Sequence, residues 1–242
     1  IAVVGEIPRG GHPVAHRLGL GGVGGGIGDN GSNTVFFPFI DNVNNLGISG
    51  IGTALLEGKT EEAKLFKALD KLEAAITEAA KNYPEQQFAL IDAVCEGEQP
   101  ENVTSLLFED NASAYLTGLI AGRMTETDKV GFIGGYESPV ISKFDYGFRA
   151  GVEAANPNAE VMVQYANSFT DSALGKSIAN QMHSKNVDIV FTCAGAVGIG
   201  AIEAAKENGK KAIGVDQDQN ALAPENVITS AMKNIDVAVL EL

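Results

Sequence analysis

The residues best placed to hold a polar organic ligand stand at the ends of apolar runs. Asp216, in Asp216-Gln217-Asp218-Gln219, directly follows the apolar Val215 and closes a strand-like run. A carboxylate so placed can accept two sugar hydroxyls at once, with charge-assisted strength. A solvated turn is the plainer reading, since Asp is common there. Asp92 ends the run from Phe88 in the same way. Gly195-Ala196-Val197-Gly198-Ile199-Gly200 follows a strand-like run and opens a helix. Glycines there let backbone approach a ligand, and N–H groups at a helix start favour an acceptor; close strand–helix packing accounts for them equally well. Phe169, in Ser168-Phe169-Thr170-Asp171, is an aromatic in a polar loop and could stack on a planar ligand. Asp171 beside it reads as a helix N-cap.

Other chemistry finds little footing. Gly26-Ile27-Gly28-Asp29-Asn30-Gly31 matches G-x-G-x-x-G, but more glycine precedes it and no acid stands some 20 residues on. There is no G-x-S-x-G elbow and no recognisable Ser/His/Asp set. His12 and His16 fall in the glycine-rich start, and His183 reads as a surface residue near a helix C-terminus. Cys95 and Cys193 lie far apart beside apolar runs and read as buried thiols, with no zinc-type spacing. No cofactor, metal or catalytic residue is expected.

Charge narrows the partners. The 242 residues carry 31 Asp+Glu against 17 Lys+Arg, a formal net charge of −14. That disfavours nucleic acid and docking on anionic lipid, both of which begin with a basic surface. No apolar run approaches the roughly 18 residues of a membrane span. The sequence begins at Ile1 with neither a signal segment nor a lipid-attachment Cys, so an upstream segment removed from the chain is one expectation.

These strand-end residues need a scaffold, and the second half supplies one. Apolar runs at Phe88 to Val94, Val130 to Ile133, Glu160 to Gln164, Val187 to Cys193 and Lys211 to Val215 recur about every 25 to 30 residues. Between them, helical periodicity covers Ser113 to Met124, Val140 to Ala155, Ser172 to Ser184 and Gly198 to Asn208. This is the β-α-β rhythm of a parallel sheet covered by helices, which binds ligands outside the carboxyl ends of its strands. Gly134-Gly135, Ala194-Gly195, Asp216 and Asp92 occupy those ends. Thr60 to Asn82 reads as one amphipathic helix. Phe36 to Ile40 is apolar but interrupted by Pro38, which argues against a central strand.

From about Ala74 to Val239 the chain closely resembles the basic membrane protein family of bacterial substrate-binding lipoproteins, whose purine nucleoside receptors serve ABC importers. The resemblance is carried by Phe88-Ala-Leu-Ile-Asp92, Ala114-Tyr-Leu-Thr-Gly-Leu-Ile-Ala-Gly122 and Lys129-Val-Gly-Phe-Ile-Gly-Gly135. It continues through Gln164-Tyr-Ala-Asn-Ser-Phe-Thr-Asp171, Ile213-Gly-Val-Asp-Gln-Asp-Gln219, Leu222-Ala-Pro-Glu-Asn226 and Thr229-Ser-Ala-Met-Lys233. The start departs from the pattern. Asp29-Asn30-Gly31-Ser32-Asn33 looks like the family's Asp-rich loop without its Phe, and His16 to Gly24 is similar to a segment these proteins carry near their C-terminus. A reordered start or a circular permutation would account for that.

The resemblance implies an α/β, two-lobed type I periplasmic-binding fold, each lobe a parallel sheet flanked by helices. Residues 1–112, joined by 228–242, would form one lobe and residues 113–227 the other. It implies a monomeric, non-catalytic receptor that closes on a nucleoside (adenosine, guanosine or inosine). Phe169 would stack on the base, with Phe36 as the second ring. Asp216 would take ribose hydroxyls, Asp92 would contact the ligand from the first lobe, Lys233 would reach the sugar and Gly195 would offer backbone. Asp29, Asn30 and Ser32 follow from the start loop. An ABC permease of the inner membrane would be the partner. The protein would be extracytoplasmic, either periplasmic or lipid-anchored. A nucleoside-processing enzyme or a ligand-sensing domain on the same fold is the alternative.

Overall fold

The computed structural model describes residues 3–6, 34–37, 74–95 and 97–241; for 3–6, 34–37, 239 and 240 the description is of the backbone alone. Two compact units divide at Leu107 and Phe108.

The first unit holds a four-stranded sheet of β1 (Val3–Glu6), β2 (Thr34–Phe37), β3 (Phe88–Ile91) and β4 (Val103–Leu106), in the order β2-β1-β3-β4. β3 and β4 are parallel, while β1 pairs antiparallel with both β2 and β3. The α/β class holds, but this sheet is mixed rather than wholly parallel. Antiparallel pairing needs no helical crossover, and none was legible in the glycine-rich start. β2 is an edge strand ending just before Pro38, as the proline requires. The helix expected over 60–82 is described from residue 74, and residues 74–82 are helical (α1). Ile76 and Ala80 of α1 bury against Phe88, Leu90, Cys95 and Val103.

The second unit is a three-layer sandwich. Its sheet is β5 (Lys129–Gly134), β6 (Glu160–Tyr165), β7 (Ile189–Cys193), β8 (Lys211–Asp216) and β9 (Val227–Met232), all parallel, in the order β6-β5-β7-β8-β9. The helices are α2 (Asp110–Met124), α3 (Pro139–Ala155), α4 (Ser172–Ser184), α5 (Ala196–Glu207) and the short α6 (Ile235–Leu240). Alternating residues of the central strands face opposite layers. Val130, Phe132, Ile189 and Phe191 pack with Phe144, Phe148 and Val152 of α3 and Ala114 and Ala121 of α2. Ile133, Val190 and Ala194 pack with Ile178 and Met182 of α4 and Val197 and Ala201 of α5. A sheet covered on both faces needs such continuous apolar strands.

Local signals set the helix starts. Ser138 caps α3 by accepting from the Ile141 N–H at 3.3 Å, with Pro139 at the first helical position. Asp171 caps α4 by accepting from the Leu174 N–H at 2.9 Å, as its sequence context predicts. The helix read from Ser113 begins at Asp110, whose carboxylate sits in its first turn. Three strands escaped the sequence reading: β1, β4 and β9. The last two are edge strands interrupted by Thr or Ser, so their apolar runs are broken. Val227–Met232 is a strand of the second sheet and falls within the second unit.

Candidate functional site

The strand order of the second unit creates a switch point. From β5 the chain steps outward to β6, then crosses back to β7 on the other side of β5. Loops leaving β5 and β7 therefore diverge, and a crevice opens at their carboxyl ends. Gly134-Gly135 and Cys193-Ala194-Gly195 stand there, tied by a Gly135 N–H to Cys193 carbonyl bond of 3.0 Å. The five parallel strands place Tyr136, Phe169, Gly195, Asp216 and Lys233 at the same end of the sheet.

Phe169 lies over this crevice. A Cβ on Gly135 would run into the Phe169 ring, so the glycine leaves the space that the aromatic occupies. Tyr136 packs on the same ring, with centroids 5.5 Å apart and planes tilted by 53°. The loop is held by backbone bonds from Asn167 N–H to Gly135 carbonyl (2.9 Å) and from Ala196 N–H to Phe169 carbonyl (2.8 Å). Both rings remain partly exposed.

Gly195 is the N-cap of α5, with φ 55° and ψ −127°, a conformation that needs glycine. The two readings of its glycine cluster divide by position. Gly195 shapes the turn at the crevice, whereas Gly200 lets α5 pack against the Ser172 backbone.

Asp216 is exposed at the end of β8 with φ 66°. The Gln217 N–H donates to the Val215 carbonyl at 2.8 Å, closing a three-residue turn around it. An i to i+2 bond about a residue of positive φ is the rare, strained form of the γ-turn, and strain of this kind concentrates at functional sites. Asp92, at the end of β3 in the first unit, has φ 61°. Each unit thus ends a strand on a left-handed aspartate.

Lys233 follows β9, and its N–H donates to the Asp216 carbonyl at 2.9 Å. Its ammonium lies 3.2 Å from Asp110 Oδ1, with the side chains only 6% and 4% exposed. The rings of Phe108 and Phe144 flank it, at 5.3 and 5.6 Å to their centroids. Burial pushes the Cys193 thiol well above its ordinary range, helped by the Asp216, Asp110 and Asp145 carboxylates and opposed by Lys233. The thiol therefore stays protonated and unreactive. The outer wall of the sheet carries Asp145, which holds Arg149 through bonds of 2.6 and 2.7 Å and accepts from the Tyr165 hydroxyl at 3.2 Å. Desolvation first, then the Asp145 charge, pushes the Tyr165 phenol up to about 12.

Of the residues expected to bind, the structure brings Phe169, Gly195 and Asp216 to one strand-end surface; Lys233 stands at the same end of the sheet, but its ammonium is buried against Asp110 rather than turned to a ligand. Asp92 belongs to the other unit. Asp29, Asn30 and Ser32 lie outside the described residues, as does the side chain of Phe36, whose backbone is in β2. Tyr136, Phe108, Asp110 and Gln219 were not singled out by sequence. Tyr136 carried a usable signal, since it directly follows the Gly134-Gly135 strand end. His183 is a correction. It is buried, not superficial, and its Nδ1 faces the Val187 carbonyl at 3.0 Å.

A family model described as "ABC transporter substrate-binding protein PnrA-like" (Bmp) matches residues 69–242. The chain belongs to this family. It is similar to the "CD4+ T-cell-stimulating antigen" of Listeria monocytogenes, at 43% identity over 188 residues, covering 71% of this chain and 52% of that protein. It is also similar to "Basic membrane protein B" of Borreliella afzelii, at 35% identity over 210 residues, covering 85% and 58%. The chain thus spans little more than half the length of these relatives. Among solved structures it resembles an ABC transporter solute-binding protein from Aeropyrum pernix, with TM-score 0.65 and 28% identity over 76% of this chain and 58% of that one. A transcriptional activator of the comK gene from Bacillus halodurans matches with TM-score 0.60 and 27% identity, over 75% and 67%. No helix among the described residues is long and apolar enough to cross a membrane.

Proposed function

We propose that this member of the family is the extracytoplasmic receptor of an ABC importer and binds a purine nucleoside. The observation that carries the reading is the composition of the second unit's strand-end surface. It pairs an aromatic platform, Phe169 with Tyr136, with an outward carboxylate, Asp216, held in a strained turn. Stacking suits a planar base, and a carboxylate suits the hydroxyls of a sugar. Gly195 supplies backbone beside them. Asp92, Asp29, Asn30, Ser32 and Phe36 are proposed as contributors from the first unit, and Lys233 as a support beneath the sugar site, where its N–H bonds the Asp216 carbonyl and its buried ammonium pairs with Asp110. Hinge closure of two lobes, recognition of the closed form by a permease, and action as a monomer are parts of the same proposal.

Calorimetric titration with adenosine, guanosine and inosine tests it, with Asp216→Ala as the control. Binding to the parent and its loss in the variant, with the fold kept, is the expected result. Equal affinity in both would remove Asp216 from the site. Appearance of free base on incubation would make the protein a nucleoside-processing enzyme instead.

A further inference from the structure

Asp216 cannot hold its conformation alone. A left-handed γ-turn at the end of a buried strand leaves backbone groups that need partners. The Val215 N–H, one residue earlier, donates to Gln219 Oε1 at 3.0 Å. The Gln219 N–H in turn donates to Ser230 Oγ of β9 at 3.1 Å. Gln219 is itself buried, at 9% exposure. A Cβ at position 214 would meet Ser230 Oγ at 2.6 Å and Gln219 Oε1 at 2.7 Å, so the glycine inside β8 makes room for this amide. Glycine weakens a strand interior, and its presence often marks such a close approach.

We propose that Gln219, seated by Gly214 and Ser230, is the positioning residue that keeps Asp216 aimed at its ligand and so sets discrimination between sugars that differ by a hydroxyl. The inference rests on the nucleoside reading for its ligand and on the backbone geometry for its mechanism. Gln219 lies beneath the turn and acts through Asp216. A site built to bond a hydroxyl discriminates steeply only while its acceptor is fixed.

The test compares the parent with Gln219→Ala and Gln219→Glu in the intact protein. Guanosine and 2′-deoxyguanosine are titrated into each, and amide hydrogen exchange is followed on the free proteins. Gln219→Ala is expected to weaken guanosine about tenfold or more and to shrink the ribose-to-deoxyribose preference. Gln219→Glu keeps an oxygen for the Val215 N–H and is expected to bind within about threefold of the parent. In Gln219→Ala, the Gln217 and Lys233 amides should lose protection while those of β5 keep theirs. An unchanged preference, or protected Gln217 and Lys233 amides, would overturn the proposal. If the parent binds no nucleoside, the functional reading falls and the exchange result alone decides the role of Gln219.

Discussion

Asp110→Asn isolates the buried ion pair beneath the strand ends, because it removes a charge and almost no volume. At 3.2 Å and an effective dielectric near 20, the attraction between Asp110 and Lys233 is worth about 5 kcal/mol. Desolvating two ions opposes it by a similar amount, so the pair itself adds little net stability. Breaking it is another matter. With Lys233 only 6% exposed, the ammonium cannot rehydrate without moving, and the expected cost is about 3–5 kcal/mol. The Phe108 and Phe144 rings offset part of that, since cation–π contacts contribute about 0.5–2 kcal/mol. A net loss of about 3 kcal/mol lowers the melting temperature by about 6–12 °C for a chain of this size. Circular dichroism melts at low and high salt measure it. The loss should persist in high salt, because a buried pair is poorly screened. The Asp110→Leu/Lys233→Met double variant should recover most of the stability, since an apolar pair of similar volume avoids both desolvation costs. A melting temperature for Asp110→Asn within 1 °C of the parent, or a double variant no better than the single, would refute the reasoning.

Three further outcomes are expected. Asp216→Gly should leave stability in urea within about 1 kcal/mol of the parent while removing nucleoside binding, because glycine accepts φ 66° without strain; a large loss of stability would deny that the conformation is strained. Gly135→Ala should displace the Phe169 ring and weaken all three purine nucleosides together by about 1–3 kcal/mol, the range of base–aromatic stacking, and selective loss of one base would contradict a stacking role. Burial holds the His183 imidazole below its ordinary 6.5, opposed by its bond to the Val187 carbonyl. The unfolded chain then binds the extra proton first, so the stability present above pH 6.5 declines as pH falls from there through the lowered folded value. The urea midpoint should fall between pH 7.5 and pH 5.5, and less so in His183→Gln; equal declines in both would remove His183 as the cause.

Most of the second unit was legible because its central strands β5, β7 and β8 are buried along nearly their whole length and α3 and α4 each keep an apolar stripe. Phe132 and Phe191 had no alternative but the core, and Asp171 could be read as a cap from position alone. The first unit resisted for opposite reasons. Its strand pairing is partly antiparallel, so the β-α-β rhythm does not apply, and glycine carries no periodicity to read. Strand ends pointed to Asp216 and Gly195 because parallel sheets place ligands there. The Asp110–Lys233 pair was hidden by 123 positions of separation and by ordinary surface-type residues being buried together. His183 misled for a related reason. Its neighbours Ser184 and Lys185 are polar, yet Met182 and Val187 draw its ring inward.

Binding of an intact purine nucleoside is most directly tested by mass spectrometry of small molecules released from the purified protein, paired with melting against adenosine, guanosine and inosine. A ligand present at about 100 times its Kd adds about 2.7 kcal/mol, which for this chain length is a rise of about 5–10 °C. Release of an intact nucleoside, or that rise with at least one of the three, is the predicted result. No released nucleoside together with an unmoved melting temperature for all three would contradict it and turn attention to a ligand-sensing role for the same fold.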